Sequence, residues 1–259
     1  MLHTLPEGAK RDTEALARSY SRIRKFQNDR GELLLQWAAP QPGETVLDLG
    51  CGTGDHLVEL CNRVGTSGRV IGADPDGMRT QVAKHLAEEH GAAVVFVEAP
   101  ATELDEIEAA QVDLVFSNHV LHWVLDLPRM LSEQARLLKP GGRFVFECMG
   151  KPIEEVDAMM RLMPRFEDLR QELSFMEDYQ WRTEIEAAGL VVEVLEWTTL
   201  DLSFPDLDAG LAWFSASSQG AFVPEQLTKP ERKRLEMRFP DVVTLPIVCL
   251  RAVLRKPIA

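Results

Sequence analysis

The chain has 259 residues, of which 45% are hydrophobic and 27% are charged, a composition typical of one large globular domain. Its formal net charge is −13. An acidic surface repels the phosphate backbone, which argues against general nucleic-acid binding. No stretch approaches the roughly 18 apolar residues of a membrane span, and no apolar signal segment opens the chain. We therefore expect a cytoplasmic protein without a membrane partner.

The four cysteines give no sign of a metal site or of a disulfide framework. Cys51, Cys61, Cys148 and Cys249 form no C-x-x-C pair, and no histidine follows them at the spacing of zinc ligands. We predict that the protein holds no metal.

The first predicted element is a helix over residues 12–38, because Ala, Leu, Arg and Glu recur there without proline. Strand and helix patterns then alternate up to residue 150. The strands are continuous apolar runs, as expected of parallel strands with helices on both faces. The predicted strands are 44–50, 68–74, 92–99, 112–119 and 143–150, and the helices between them are 55–65, 76–91 and 128–142.

The pattern changes after Gly150. Helices are predicted over 153–173 and 177–188, a helical stretch broken by prolines over 206–239, and strands over 190–202 and 247–257. We interpret 153–173 and 206–239 as helical cap insertions at the edge of the sheet. The predicted organisation is an N-terminal helical lid (1–39), an α/β core (40–150) and a segment that completes the sheet and carries the cap (151–259), in one compact domain.

The segment "VLDLGCGTGDH", residues 46–56, brings three glycines directly after a strand. Gly50, Gly52 and Gly54 let a ligand approach bare backbone N–H groups at the start of a helix. Asp74 ends the next strand about 20 residues further on, where an acid can bind both ribose hydroxyls. The pattern favours a nucleotide-like ligand, although a plain tight turn and a helix-capping Asp74 are the simpler alternatives.

Two ligands fit this pattern, a nicotinamide dinucleotide and S-adenosylmethionine. Asp55 stands where the third glycine of the dinucleotide fingerprint belongs, and its charge would repel a pyrophosphate. Asp48, just before the loop, suits a cationic group such as the ammonium of a methionine moiety. Both departures favour S-adenosylmethionine.

Four segments in order, "VLDLGCGTG", "GADPDGM", "DLVFSNHVLHWV" and "LLKPGGRFVFE", resemble the class I S-adenosylmethionine-dependent methyltransferases over about residues 40–150. The resemblance implies a Rossmann-like, doubly wound, seven-stranded and mostly parallel sheet whose last strand is antiparallel. It also implies S-adenosylmethionine as cofactor and S-adenosylhomocysteine as product. The implied cofactor-binding residues are Asp48, Gly50, Cys51, Gly52, Gly54, Asp74, Pro75, Met78, Ser117 and Asn118.

One position departs from this family's pattern. The family often has an acid after the third strand that contacts the adenine amino group, whereas Pro100 or Ala101 stands there in this chain. Glu98 is a displaced candidate for that contact.

The nature of the acceptor rests on a finer resemblance, to the trans-aconitate and small-carboxylate methyltransferases. The segments that carry it contain Ser117, Asn118 and Trp123 in the core and Phe26 and Arg30 in the N-terminal helix. The resemblance implies O-methylation of a small-molecule carboxylate.

Arg30 and His119 are the predicted catalytic residues. Arg30 shares a helical face with Ile23, Phe26 and Gln27, so it is placed to clamp an anionic acceptor beneath an apolar lid. His119 follows the fourth strand and is placed to orient the acceptor. An exposed Arg30 paired with a nearby acid is the simpler alternative. The predicted substrate-binding residues are Tyr20, Phe26, His122 and Trp123, of which the last two are alternatively ordinary packing.

Other acceptors and another class of protein remain open. A hydroxyl, amine or carbon acceptor would make His119 a general base. A module that binds the cofactor and regulates a partner without catalysis fits the same motifs. We expect a monomer or homodimer that acts on a small molecule. The side chains that form either an acceptor pocket or the core of the cap are Trp181, Trp197, Trp213, Phe214, Met159, Met160 and Met163.

Overall fold

The computed structural model describes residues 25–161, 170–217 and 224–258. The predictions for Tyr20, Ile23 and Met163 lie outside these ranges. Phe26, Gln27 and Met159 lie in described helices, but their side chains are outside the description. Within the described residues, no helix has the length and apolar character needed to cross a membrane.

Helices and strands alternate along the first part of the described chain. The helices are α1 (Lys25–Ala38), α2 (Leu57–Val64), α3 (Gly77–Glu89), α4 (Leu127–Leu137), α5 (Glu154–Met160), α6 (Asp178–Ala187), α7 (Leu207–Ser217) and α8 (Lys229–Arg238). The strands are β1 (Thr45–Leu49), β2 (Arg69–Ala73), β3 (Val94–Val97), β4 (Val112–Asn118), β5 (Leu138–Met149), β6 (Val191–Phe204) and β7 (Val243–Arg255).

The seven strands form one sheet in the order β3-β2-β1-β4-β5-β7-β6. The first five are parallel, and β7 is antiparallel to both β5 and β6. This arrangement confirms the predicted doubly wound, mostly parallel fold. The order reverses between β1 and β4, and ligands in such sheets bind in the crevice at the carboxyl ends of the strands on either side of the reversal.

Two predicted boundaries are wrong. The helix predicted over 128–142 ends at Leu137, because Pro140 cannot continue a helix and Gly141 adopts a φ of +82°. Strand β5 therefore begins at Leu138, and its register against β4 shifts before Arg143. The last strand begins at Val243 rather than at residue 247, because its first residues pair with the end of β6.

The sheet has an apolar core on each face. Phe146 and Trp181 pack at 5.2 Å between ring centroids in one core, and Leu34 and Leu35 of α1 pack in the other. Trp181 and Trp197 thus belong to the sheet core and not to the cap. The cap has its own two clusters, which include Met160 and Trp213.

Candidate functional site

The loop after β1 has the backbone geometry that only glycine adopts without strain. Gly50, Gly52 and Gly54 have φ values of +75°, +52° and +88°. A Cβ on Gly50 would lie 2.3 Å from Val120, whereas a Cβ on Gly52 would meet no atom within 4 Å. The N–H groups of Gly50 and Cys51 donate to the Ala73 carbonyl. The loop is thus fixed to β2 on one side, and its backbone faces open space at Gly52.

Asp48 places an unmatched carboxylate oxygen beneath this loop. Its side chain is 2% exposed, and among the described residues its Oδ2 has no hydrogen-bond partner. Burial, and then the charge of Asp74, raise the pKa of Asp48 to about 8. A buried acid of this kind favours a cationic ligand group, which would stabilise its ionised form.

Asp74 connects the loop to the end of β2. Its Oδ2 accepts a hydrogen bond from the Gly52 N–H at 2.9 Å, and its Oδ1 accepts one from the Asp76 N–H at 2.9 Å. Burial raises the pKa of Asp74. Asp76, not Asp74, caps helix α3, since its side chain accepts from the N–H groups of Met78 and Arg79. The capping alternative for Asp74 is therefore wrong.

After β3, the family's adenine-contacting acid is absent from positions 100 and 101, and Glu98 is the acid that lies nearby. Pro100 is exposed at the expected position. The carboxylate of Glu98 instead lies at the start of α3, where a Cβ added to Gly77 would be 2.8 Å from its Oε1. Pro75 is exposed and Met78 half-buried at the same end of α3. Glu98 is thus close to the residues predicted to contact adenine.

The two polar residues that end β4 have different surroundings. Ser117 is fully buried, and its hydroxyl donates to the Leu49 carbonyl at 2.8 Å, so it supports the glycine loop from beneath. Asn118 is half-buried, with its Nδ2 at 3.2 Å from Nε2 of His56. Helix α1 presses on this pair, because a Cβ on Gly31 would lie 2.0 Å from the His56 ring.

Arg30 forms an ion pair with a buried acid that lies far away in the sequence. Its Nε and Nη2 donate to Oε1 and Oε2 of Glu147 at 2.6 and 2.5 Å. Arg251 donates to the same Oε2 from Nε and Nη2, and its guanidinium lies 5.0 Å from the ring centroid of Trp37. The side chains of Arg30, Arg251 and Glu147 are 15%, 9% and 0% exposed. We call these three residues the arginine–glutamate cluster.

The arginine–glutamate cluster is unbalanced in charge, because two guanidiniums face one carboxylate. Burial by itself would raise the pKa of Glu147, but His119 and the two arginines outweigh burial and lower the pKa to about 2. Glu147 is therefore ionised, and the cluster carries an excess of one positive charge. Such a site, shielded from water, favours an anion.

His119 lies beside this cluster in a strained backbone conformation. Its φ is +58°, a region that non-glycine residues rarely adopt. Its side chain is 6% exposed, with Nε2 at 3.5 Å from Oε1 of Glu147. Cys249 lies within 4.8 Å of both in a group of possible metal ligands. The two guanidiniums on Glu147 disfavour a metal ion there, because they would repel it.

His122 and Trp123 form a short 3-10 turn behind the site. His122 is buried, and burial followed by the nearby His119 lowers its pKa to about 3, so it is neutral. Its Nδ1 accepts from the Met149 N–H at 3.4 Å, and its carbonyl accepts from Ser174. Trp123 is half-buried at 5.5 Å from the His122 ring. These contacts favour the alternative in which His122 is an ordinary packed residue rather than a substrate-binding one.

Glu147 and Arg251 were not among the site residues predicted from the sequence. A usable signal existed, because each is a charged residue inside an otherwise apolar strand run, "RFVFECM" and "IVCLRAVL". Buried charges of this kind are rare unless they are paired. Their pairing depends on β5 and β7 being neighbours, with Glu147 opposite Arg251.

Comparisons with known proteins agree with this geometry. The methyltransferase-domain family matches residues 47–146. A 2-phytyl-1,4-naphtoquinone methyltransferase of Trichormus variabilis is 36% identical over 43% of this chain and 49% of its own length. The chain thus spans about half the length of such relatives.

Two further comparisons extend beyond the core. A malonyl-[acyl-carrier protein] O-methyltransferase of Erwinia pyrifoliae is 31% identical over 75% of this chain and 70% of its own length. The YcgJ protein of Bacillus subtilis shares the fold with a TM-score of 0.62 at 19% identity, over 87% of this chain and 97% of its own. The predicted family and fold are confirmed: the chain belongs to the class I S-adenosylmethionine-dependent methyltransferases.

Proposed function

We propose that the protein transfers a methyl group from S-adenosylmethionine to the carboxylate of a small molecule and releases S-adenosylhomocysteine. The observation that carries this proposal is the arginine–glutamate cluster, which places an excess positive charge at the carboxyl edge of the sheet. The resemblance to the trans-aconitate and small-carboxylate methyltransferases points to the same acceptor class.

The residues of the glycine loop fit the cofactor. Asp48 offers a buried oxygen with no partner among the described residues to the ammonium of the methionine moiety. Gly52 leaves its backbone open for close approach, and Asp74 lies next to it to accept from the ribose hydroxyls. When bound, S-adenosylmethionine supplies a methyl group on a positively charged sulfur.

The cluster would hold the acceptor by charge. A carboxylate placed beside Arg30 and Arg251 would cancel the one excess positive charge that Glu147 leaves unbalanced. Arg30 is itself held by two hydrogen bonds to Glu147. Its guanidinium is therefore oriented before the acceptor arrives, which reduces the entropy lost on binding.

The protein groups need not remove a proton from such an acceptor, because a carboxyl group is ionised at neutral pH. Their task is to align the acceptor oxygen and to exclude water. Helix α1 supports the second task, since its Gly31 packs directly on His56, which contacts Asn118 at the end of β4. His119 lies between Glu147 and the end of β4, where its ring orients the acceptor.

The names of the relatives support acceptors of two kinds. The Erwinia pyrifoliae protein is named for O-methylation of a malonyl group, which ends in a free carboxylate. The Trichormus variabilis protein is named for a naphthoquinone. The longer match is with the first of these, which favours the carboxylate.

A second candidate is methylation of a hydroxyl, amine or carbon with His119 as general base. It is favoured by the strained φ of +58° at His119 and by the carboxylate of Glu147 at 3.5 Å from its Nε2. Backbone strain often accompanies functional residues. A carboxylate beside a histidine can hold the imidazole in the orientation that a general base needs.

The test uses methyl-labelled S-adenosylmethionine with a panel of small carboxylic acids, phenols and amines. Label that mild alkali releases as methanol identifies an ester and supports the carboxylate. Alkali-stable label would assign the second candidate. Cofactor binding without transfer to any acceptor would contradict both and favour a regulatory module.

Two matched variants test whether ester formation depends on the arginine–glutamate cluster. We expect Arg30→Gln to abolish most ester formation while cofactor affinity is retained. Arg143→Gln is the control, because Arg143 forms a comparable half-buried ion pair with Glu44 at 2.8 Å at the opposite edge of the sheet. Equal loss of turnover in both variants would contradict the assigned role of Arg30.

A further inference from the structure

The ring of His56 contacts two other elements of the candidate site. His56 directly precedes helix α2, and its ring packs edge-on against Phe116 of β4, with 5.4 Å between the ring centroids. Its Nε2 lies 3.2 Å from Nδ2 of Asn118, at the end of the same strand. Helix α1 covers both side chains at Gly31, which is itself buried. The ring is thus held between α1 and β4.

Gly31 lies in the interior of helix α1, where glycine is among the least favourable residues. The contact with His56 accounts for it. A Cβ at this position would lie 2.0 Å from Cε1 and 2.3 Å from Nε2 of His56, and 3.0 Å from Nδ2 of Asn118. The backbone of α1 therefore lies directly against the hydrogen bond between His56 and Asn118, and a larger residue would displace one of the two partners.

The hydrogen bond determines which way the amide of Asn118 points. An amide nitrogen only donates, so Nε2 of His56 accepts and the ring proton is on Nδ1. Because Nδ2 faces His56, the Oδ1 atom of Asn118 lies on the opposite side of the amide. Without an acceptor at His56, the amide could rotate and exchange its oxygen for its nitrogen.

Asn118 lies next to the part of the sheet where the cofactor is expected. Phe116, two residues earlier in β4, is opposite Asp48 of β1. Strand β1 ends at Leu49, so Asn118 extends past it at the crevice where the strand order reverses. The methionine moiety of S-adenosylmethionine is cationic there. An amide oxygen attracts a cation, whereas the N–H groups of a rotated amide would repel it.

We infer that His56 is a positioning residue for the cofactor. Its ring, held in place by Gly31, keeps Oδ1 of Asn118 turned towards the methionine moiety of S-adenosylmethionine. This inference rests on the proposed cofactor site, to which Asn118 belongs, and it is independent of the nature of the acceptor.

The test measures the dissociation constant of S-adenosylmethionine by calorimetry, without an acceptor. His56→Leu removes the accepting nitrogen and keeps an apolar side chain against Phe116. We expect the affinity to fall by about three- to tenfold, which corresponds to the loss of one hydrogen bond. His56→Gln should restore the affinity, because the oxygen of a glutamine side chain can accept from Nδ2 of Asn118. His90→Leu is the control, since His90 is exposed at the carboxyl end of α3.

A double-mutant cycle shows whether His56 acts through Asn118. Asn118→Ala should weaken cofactor binding by itself, and His56→Leu should cause no further loss in that background. Losses that add would assign His56 a packing role alone and overturn the inference. Wild-type affinity in either single variant, or no recovery in His56→Gln, would overturn it as well.

Gly31 tests the same contact from helix α1. Gly31→Ala introduces a better helix former, yet its Cβ would push the ring of His56 away from Asn118, so cofactor affinity should fall as it does in His56→Leu. Glu32→Ala is the control, because Glu32 is exposed at the next position of the helix. Circular dichroism shows whether each variant is folded. Equal affinities in Gly31→Ala and Glu32→Ala would contradict the role of Gly31 in holding the ring.

The outcomes separate the role of His56 from the proposed acceptor chemistry. Non-additive losses of cofactor affinity, without methyl ester from any acid, would leave the role of His56 standing and contradict the proposed function. Ester formation together with additive losses would overturn the role of His56 and leave the proposed function intact.

Discussion

Strand β5 supplies one member of an arginine–glutamate pair near each edge of the sheet, beside helix α1, and these two connections differ in charge balance. At the amino edge Arg143 donates to Glu44 and to the carbonyls of Ala38 and Ala39, so one cation meets one anion and two dipoles. At the carboxyl edge two arginines share Glu147. The first connection is electrically complete, whereas the second leaves a charge that a ligand can neutralise.

Charge balance distinguishes a candidate ligand site from a structural ion pair in this protein. At both edges an arginine side chain links α1 to β5, Arg30 through Glu147 and Arg143 through the Ala38 carbonyl, and both ion pairs are half-buried or buried. Burial and pairing alone therefore do not mark a site. The excess charge points to a candidate site, because an uncompensated buried charge costs free energy that an anionic ligand would offset.

Removal of the shared acid Glu147 should destabilise the protein strongly. Glu147→Gln leaves two buried guanidiniums facing each other, so the free energy of unfolding should fall by about 3–5 kcal/mol at pH 7. Urea denaturation followed by circular dichroism measures this change. Glu44→Gln is the matched variant at the amino edge, where the cost should be nearer 1–2 kcal/mol. Equal losses at the two edges would show that the carboxyl-edge cluster is not unbalanced.

Acidification should remove the same stabilisation. The folded protein holds the pKa of Glu147 at about 2, below its ordinary value of 4.5. Its contribution is therefore fully present above pH 4.5 and is lost as the pH falls towards 2. The difference in unfolding free energy between the wild type and Glu147→Gln should be constant from pH 7 to 5 and should narrow below that. A difference that persists unchanged at pH 3 and below would contradict the lowered pKa.

Substitutions at the two edges should differ more in their effect on KM for the acceptor than in their effect on the free energy of unfolding. Arg30→Gln removes the excess positive charge, so KM for a carboxylate acceptor should rise about 10- to 100-fold, as expected for the loss of a charge-assisted contact. Arg143→Gln should leave KM unchanged. Initial rates with the best acid of the labelled panel provide the measurement. An unchanged KM in Arg30→Gln would exclude Arg30 from acceptor binding.

A smaller effect concerns Asp48, a buried acid at the carboxyl edge whose Oδ2 has no hydrogen-bond partner among the described residues. Its pKa of about 8 means that it is mostly protonated at pH 7 in the free protein. Binding of an ammonium group favours the ionised form, so cofactor binding should release nearly one proton and strengthen from pH 6 to pH 8. Calorimetry in buffers of different ionisation enthalpy counts the proton.

Asp48→Asn should abolish this release. Asp113→Asn is the control at the amino edge, where the Asp113 carboxylate is already matched by Lys139 at 2.7 Å and by the Thr45 N–H. Proton release that survives in Asp48→Asn would assign the titrating group elsewhere.

Much of the cofactor end of the site could be predicted from sequence, because it is built from short segments. The glycines of residues 50–54 and the acid at Asp74 are local signals, and the order of strands β1 and β2 follows from one right-handed crossover. The loop and the acid meet in the structure, as Gly52 donates to Asp74. Asp48 was also predictable, since it precedes the loop within the same strand.

The acceptor end was less predictable, because its partners are distant in sequence. Arg30 and Glu147 are 117 residues apart. From the sequence, Arg30 was either a clamp on an anionic acceptor or an exposed residue paired with a nearby acid, whereas the structure pairs it with the buried and distant Glu147. Ser117 was expected to face the ligand, yet its hydroxyl bonds to Leu49. The alternation of side chains along β4 depends on the exact register, which the sequence leaves open.

The glycine loop, the acids that surround it and the alternation of apolar strands and amphipathic helices follow from neighbouring residues and are therefore legible in the sequence. The meeting of Glu147 with two arginines, and the extension of β6 and β7 beyond β5 against the cap, come from the folded arrangement. Charge balance and continuous apolar surface depend on which strands become neighbours, and packing across the whole sheet settles that choice.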